Sequence, residues 1–580
     1  MPVAAFESFN REKPGWAAYF GSPLAVYQAN SLQDVIPVLK RAEEASRLQQ
    51  WAVVLISYEA SPVFDSAIRV HPPGRFPLVW VATFDRVEMP SQEPEPSKKR
   101  FDPLEWDPII SRQAYTAAIA RIREYISQGD TYQVNYTFPL KTIFQGDSWE
   151  WYRHLGANQG AGYSAYLDLG PFQVLSFSPE LFFERQGTRL QTRPMKGTLA
   201  RGRWLEEDES QIQQLKSSAK NRAENIMIVD LLRNDLGKIS DLGSVCVTEL
   251  CQVESYETLL QMTSTIESQI SPNTTLLDLI SALFPCGSVT GAPKIRTMEI
   301  IRELEPDPRF IYTGTMGFVR PGGDCVFNVA IRTLWRERET GETRMGVGGG
   351  ITIDSSPEEE YAECLLKSEF LNRQQPEFKL LETLLLESGQ YFLLSRHLLR
   401  MQKSARYFGF AWKESLVMEE LERIRMDHLE GNWKVRLLSG RDSMIRAEIS
   451  LLSSSSLSPL VVALAPQPVN SRDPFLFNKT THREIYESQL ATRPDCDDLI
   501  FWNERGEACE SSIANIVLET AGLKWTPPRN SGLLAGTFRD ELIQQGKIQE
   551  RVILKAELAE VCYFYLINSV RRWIPAQLVI

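Results

Sequence analysis

The segment "TRPMKGTLARG" (192–202) sets a lone lysine, Lys196, between a Pro-Met pair and a glycine, with Arg193, Arg201 and Arg203 close by. Neighbouring cations favour the neutral form of a lysine, and a neutral amine is a nucleophile or base where an ammonium is neither. The same residues also describe a basic loop in solvent, because structural charges cluster as well. In "GVGGGITIDSSPEEEYAECLLKSEF" (346–370), Glu360, Glu363 and Lys367 are spaced i, i+3, i+7 and share one helix face. Two carboxylates a turn apart, joined by Glu224 from another helix, suit a hard cation such as Mg²⁺. The alternative is a solvated acidic turn favoured by the helix dipole.

Further candidates have the same double reading. Arg332 in "CVFNVAIRTLW" shares an alternating strand face with Asn328 and Ala330, and suits either a bidentate carboxylate or a structural ion pair. Gly348, Gly349 and Gly350 permit a ligand to approach the backbone closely. Near the C-terminus, Lys479 lies in "FNKTTHREIYE", and Glu510 is placed on a strand after the hairpin-like "NERGEA" turn. Gly536 and Thr537 open a helix whose free N–H groups can bind phosphate, and Arg400 in "RHLLRM" offers a charge for the same anion. A lysine to hold the cofactor, an acid for a pyridinium nitrogen and a phosphate cradle are the components of a pyridoxal phosphate site. Taken singly, they are a surface lysine, a strand-edge glutamate and an ordinary helix cap.

The elements that must position these residues are legible in outline. "NRAENIMIVDLLRNDLGK" reads as a helix ending at Gly237 and carrying Glu224 in its first half. Ser356 fits an N-cap, Pro357 the first helical position, and Glu359 closes a capping box. "GYSAYLDL" and "FQVLSFSP" read as strands, and "SRHLLRMQKSARYFGF" as a helix. "EMPSQEPEPSKKR" reads as a surface loop, "NRQQPEF" as a linker and "SSSSLS" as low complexity. Two units are expected, 1–375 and 376–580; the first comprises an N-terminal region (residues 1–100) and a core (residues 111–371).

At 580 residues the chain is too long for one core, which agrees with that division. A net charge of -11 argues against general binding to nucleic acid or anionic membranes, and no apolar run approaches a membrane span. Eight scattered cysteines form neither a disulfide framework nor a zinc site, and no secretory signal is visible, so a cytoplasmic location is expected. None of the five histidines has a metalloprotease-like or triad-like context, which leaves proton transfer to Glu and Lys.

In order, "GDTYQVNYT", "SFSPELFF", "PMKGT", "AENIMIVDLLRNDLG", "GSVTGAPKIRTMEII", "YTGTMGF", "NVAIRTL" and "GGGITIDSSPEEEYAECLLK" resemble the chorismate-utilising enzymes. The resemblance implies an α/β (α+β) fold with two antiparallel sheets and surrounding helices, and a Mg²⁺-dependent chorismate site. By position it implies Glu224, Glu360 and Glu363 at the metal. Gly197, Thr198, Tyr312, Arg332, Gly348 and Lys367 match substrate positions, and Glu180 the acid that assists departure of the ring hydroxyl. Within the family, "PMKGT" is similar to aminodeoxychorismate synthase component I, in which Lys196 would attack C2 of chorismate before ammonia enters at C4. Members that add water carry a lysine base where this chain has Gln133. Gln261 and Asn221 depart from a histidine and an acidic residue common in relatives.

"NERGEACESSIANIV", "SGLLAGTFRDELI" and "INSVRRW" resemble fold-type IV pyridoxal phosphate enzymes (the class IV aminotransferase family), and most of all aminodeoxychorismate lyase. Catalytic Lys479 and cofactor-binding Glu510, Arg400, Gly536 and Thr537 follow from that resemblance. Together the two imply chorismate amination and then pyruvate elimination, giving 4-aminobenzoate for folate. The alternative is an anthranilate or isochorismate synthase fused to an amino-acid aminotransferase. A glutamine amidotransferase subunit acting in trans is implied as the ammonia source, as is a homodimer through the pyridoxal phosphate domain.

Overall fold

The computed structural model describes residues 2–10, 15–88, 99, 101–257, 259–373, 376–452, 458–561 and 563–579. Most of the expected surface loop at 88–100, some of the linker at 372–378 and most of the serine run therefore lie outside the described residues. The chain forms two compact units, one of Met1–Arg201 with Gln211–Gln375, the other of Gly202–Ser210 with Pro376–Ile580.

The first unit is built on a nine-stranded and a ten-stranded sheet, antiparallel in every pairing. Strand Trp51–Ile56 explains the layering, because its side chains alternate between two cores. Ala52, Val54 and Ile56 pack with Val35, Leu39 and Ala42 of helix Leu32–Arg47. Val53 and Leu55 point the other way, onto Phe6, Leu167 and Val174 of the second sheet. That sheet's outer face, with Tyr166 and Leu175, is covered by helices Arg112–Ser127 and Ser148–Gln159. The unit is thus helix, sheet, sheet, helix, which is why its strands read as continuous apolar runs. Each fully buried Val, Leu or Ile contributes roughly 1.5–3 kcal/mol.

The segment "CVFNVAIRTLW" is not one strand. Cys325–Val329 pairs with Thr315–Val319 in the ten-stranded sheet, and Thr333–Glu337 pairs with Phe172–Ser178 in the other. Residues 330–332 carry the chain between the sheets, and Arg332 takes a left-handed φ of 49°. Asn328 and Ala330 point into the inter-sheet region, whereas Arg332 opens onto a cavity. The expected shared face does not exist. Apolar alternation runs through the crossover because both half-strands border the same core.

In helices Ala219–Gly237 and Pro357–Leu366, the end at Gly237 and the start at Ser356 are as expected; Ser356 accepts the amide of Glu359, and Ser218, not foreseen from sequence, caps the other helix by accepting that of Asn221. The Ser356 hydroxyl donates to Glu358 Oε2, so Glu358 and not Glu359 answers the cap.

The second unit has a four-stranded sheet containing Leu380–Glu387 and an eight-stranded sheet containing Ala508–Ser511. Helix Leu394–Phe408 packs on the first, burying Met401 and Ala405 with Leu384. Asp498–Trp502 and Ala508–Ser511 pair antiparallel around the "NERGEA" turn.

Candidate active sites

Lys196 sits on strand Met195–Ala200, at a bulge in its pairing with Leu259–Gln269. Met195 lies opposite Thr263 and Thr198 opposite Gln261, so one extra residue is accommodated, and Gly197 takes a φ of 99° there. Asn225 Nδ2 donates to the Lys196 carbonyl, and Gln261 Nε2 to that of Gly197. The side chain enters a cavity of about 150 Å³. A Cβ on Gly350 would stand 2.0 Å from Lys196 Nζ and 1.9 Å from Gln133 Nε2, so this glycine makes room for both. Gln133 is fully buried, and neither atom of its amide has a hydrogen-bond partner among the described residues.

The arginines flanking Lys196 in sequence do not account for its basicity. Arg193 is paired with Glu254, Arg201 donates to the Tyr256 carbonyl, and Arg203 pairs with Glu207 at 2.7 Å. Burial lowers the Lys196 pKa; Glu224, 3.9 Å away, opposes the shift and Lys367 assists it. Glu180 lines the same cavity and accepts a 2.6 Å bond from Ser288. Burial pushes its carboxyl up to about 7, against the Ser288 bond, so near neutral pH it passes between its acid and ionised forms and can give a proton away.

Arg332 is 6% exposed and its Nη1 has no hydrogen-bond partner among the described residues. Burial lowers its pKa to about 10, with Tyr256 and Tyr312 opposing. A buried, unanswered guanidinium is costly unless an anion arrives. Lys367 Nζ bonds the Gly348 carbonyl and Glu363 Oε1, both at 2.8 Å. Burial works against the Lys367 ammonium, but Glu363 and its neighbours hold its pKa above the ordinary value. Lys367 is the main reason the Glu363 carboxyl is lowered, whereas burial raises that of Glu360.

Glu224, Glu360 and Glu363 line this one cavity together with Tyr312, Gly197 and Thr198. They do not converge: among the described residues no group of three or more Asp, Glu, His or Cys side chains is drawn together to hold a metal. The donors are nevertheless of the type a hard cation takes when a ligand's own carboxylate completes the shell. Asn221 and Gln261 also border the cavity. Sequence reasoning missed Ser288 and Asn225, and it singled out Gln133 without foreseeing that its amide is orphaned; "CGSVTG" was the only trace of Ser288.

In the second unit Lys479 follows the short turn Pro474–Leu476, and its carbonyl accepts from Leu381. Burial lowers its pKa to about 8, and Arg400 adds to the shift. Glu510 accepts from Tyr486 at 2.9 Å and from Asn515, and burial raises it to about 7 against the Tyr486 bond. Gly536 is the N-cap of helix Thr537–Gln544, and Arg400 Nη1 donates to the Ala535 carbonyl beside it. Lys479 feels the charges of Arg400 and Glu510, Arg400 bonds the turn before the helix, and Asn515 bonds both Glu510 and the Leu534 carbonyl, so separate elements bring the lysine, the acid and the helix start into one neighbourhood. An acid, a lysine kept near neutrality and an arginine-flanked helix start suit pyridoxal phosphate.

The chain belongs to the chorismate binding enzyme family, whose profile matches residues 5–373. Residues 379–579 match amino-transferase class IV. Aminodeoxychorismate synthase component 1 of Bacillus subtilis is 37% identical over 295 residues, covering 51% of this chain and 61% of that protein. The Escherichia coli protein of the same name is 40% identical over 282 residues, covering 49% and 62%. Anthranilate synthase component 1 of Aquifex aeolicus is 36% identical over 275 residues, covering 47% and 55%. The chain thus spans about three-fifths of the length of the first two relatives.

Among solved structures, anthranilate synthase component I from Streptococcus pneumoniae superposes with a TM-score of 0.51 at 24% identity, covering 64% of this chain and 91% of that one. The menaquinone-specific isochorismate synthase from Escherichia coli also gives 0.51, at 18% identity, covering 64% and 89%. These share the fold of the first unit. No helix among the described residues is long and apolar enough to cross a membrane.

Proposed function

We propose that the first unit aminates chorismate to 4-amino-4-deoxychorismate and the second eliminates pyruvate from it, giving 4-aminobenzoate for folate synthesis in the cytoplasm. One observation carries the reading: a buried, pKa-lowered Lys196 shares a cavity with Glu180, whose pKa is raised to about 7, and an unanswered Arg332. Arg332, Tyr312, Lys367 and the Gly348 backbone hold the substrate's carboxylates. Neutral Lys196 attacks ring C2 while the double bond shifts and the C4 hydroxyl leaves as water on a proton from Glu180. Ammonia then adds at C4, the double bond shifts back, and the departing Lys196 amine takes the proton that ammonia sheds. Glu224, Glu360 and Glu363 would hold Mg²⁺ against a substrate carboxylate, where it supplies positive charge. Gln133 has no basic atom to activate water, which favours ammonia as the nucleophile. A glutamine amidotransferase subunit in trans supplies that ammonia.

In the second unit, pyridoxal phosphate when bound supplies an electron sink that makes the C4 proton acidic. Glu510 would answer the pyridine nitrogen, and Gly536, Thr537 and Arg400 would hold the phosphate. Lys479, drawn toward neutrality, removes the C4 proton and returns it to the enolpyruvyl methylene as the C3–O bond breaks. Pyruvate leaves and the ring becomes aromatic, so no amino acceptor is needed. This unit is also the proposed surface of a homodimer.

The test is one incubation of the chain with chorismate, an ammonium salt, Mg²⁺ and pyridoxal phosphate, products read by mass. 4-Aminobenzoate and pyruvate are expected. Anthranilate, isochorismate, or turnover only with a 2-oxo acid would replace this reading with that of an anthranilate or isochorismate synthase joined to an aminotransferase.

A further inference from the structure

Beside the helix start at Gly536 lies a buried charged network of which the reading above uses only Arg400 and Thr537. Glu382, on strand Leu380–Glu387, is 1% exposed, yet both of its carboxylate oxygens are occupied. Oε1 accepts from Arg400 Nε at 2.8 Å, and Oε2 accepts from Arg400 Nη2 at 2.7 Å. Oε2 also lies 2.7 Å from Nδ1 of His397, which is fully buried one helical turn before Arg400. The other ring nitrogen, Nε2, is 3.2 Å from Thr537 Oγ1. One carboxylate therefore fixes two side chains of helix Leu394–Phe408, and both reach the 535–537 turn, Arg400 through Ala535 and His397 through Thr537.

The polarity of this chain matters. A carboxylate facing Nδ1 fixes the proton there. Burial favours a neutral ring at His397 over the opposing pull of Glu382, and Arg400 and Lys479 push the same way as burial. Burial would raise Glu382, but Arg400 and His397 hold it well below the ordinary carboxylate range, so the network holds one ionised acid. With Nδ1 protonated, Nε2 is bare and accepts the Thr537 hydroxyl proton. That orientation turns an oxygen lone pair toward the cradle, the wrong polarity for a phosphate. For Thr537 to donate to phosphate, its hydroxyl must rotate and Nε2 must carry a proton to support the oxygen.

We propose that Glu382 and His397 are positioning residues of the phosphate cradle, and that filling the cradle with phosphate takes up one proton from solvent at His397 Nε2. This rests on the pyridoxal phosphate reading above. Arg400 balances Glu382, and the incoming phosphate charge offsets the new imidazolium.

The test compares pyridoxal phosphate with pyridoxal, which lacks the phosphate, on the full chain by titration calorimetry near pH 8 in buffers of different ionisation enthalpy. Wild type should take up about one proton more with pyridoxal phosphate than with pyridoxal. His397→Gln should lose that difference, and Glu382→Gln should weaken pyridoxal phosphate roughly tenfold or more while sparing pyridoxal, the scale seen when a ligand's outer partner is removed. An equal proton difference in wild type and His397→Gln overturns the proposal. Nitrogen NMR on wild type reads the same step without substitution, since the chain has only five histidines. One imidazole should become doubly protonated with pyridoxal phosphate but not with pyridoxal, and five unchanged rings overturn the proposal. If neither compound binds, the cofactor reading itself falls, whereas binding without proton uptake defeats this inference alone.

Discussion

Lys196 and Lys479 are both buried amines with lowered pKa values, yet their surroundings differ. Around Lys196 the carboxylates of Glu224, Glu363 and Glu360 oppose burial, and only Lys367 pushes with it. Around Lys479, Arg400 and Arg483 push with burial while Glu382 and Glu510 oppose it, and the amine falls to about 8. Carboxylates restrain the first lysine until they are occupied, so its full nucleophilicity depends on what else enters the cavity. At the second, two arginines answer the two carboxylates, and Glu382 is already bonded to Arg400, so less of its shift waits on a ligand. Burial makes a lysine available, and its neighbours decide when.

The largest expected effect breaks the comparison on the Lys479 side. Lys479→Ala should abolish both the visible absorbance of bound pyridoxal phosphate and pyruvate release, while aminodeoxychorismate accumulates. Loss of amination in the same variant would show that the two lysines do not act separately. Next, Lys196→Ala should cut amination by more than about 10⁴-fold, beyond what acid–base help alone supplies. Chorismate binding and cofactor absorbance should be unchanged; amination near the wild-type rate would remove Lys196 from the chemistry.

The comparison is sharpened by pH. Glu180 holds its proton below about 7 and loses it above. Because the same rise in pH that frees the Lys196 amine removes this proton, the single-turnover rate per free ammonia should peak and then fall as the acid is used up. Glu180→Gln should lower this rate by roughly 10²–10⁴-fold and flatten the profile; an unchanged slope assigns the titration elsewhere. The smallest effect belongs to Arg332→Gln, which should raise KM for chorismate by roughly 10–100-fold, the worth of a charged hydrogen bond, with kcat little altered. A change confined to kcat would mean that Arg332 acts on the transition state and not on a carboxylate already present in the substrate.

Features that depend on near neighbours were readable from sequence. Helix Ala219–Gly237 ends at its Gly237 and Pro357–Leu366 starts at its Ser356 cap, and both announce themselves within a few residues. Motif resemblance also placed Lys196, Glu180, Arg332 and Glu224 in one cavity. What stayed hidden depends on chain segments far apart. The break at Arg332 was masked because two half-strands in different sheets border one core. The cations beside Lys196 in sequence are answered by Glu254, the Tyr256 carbonyl and Glu207, and its real neighbours are Glu224 and Lys367. The Glu382–His397–Thr537 chain includes a bond between residues 140 positions apart, and no local pattern marks it.

The crossover at residues 330–332 has a mechanical consequence. It is one place where the chain passes from one sheet of the first unit to the other, and Arg332 stands on it with an unanswered nitrogen. A carboxylate gripped there becomes a rivet driven through the seam. Prising the sheets apart would mean first drawing that rivet, so chorismate at saturating concentration should make both sheets resist heat as a single body.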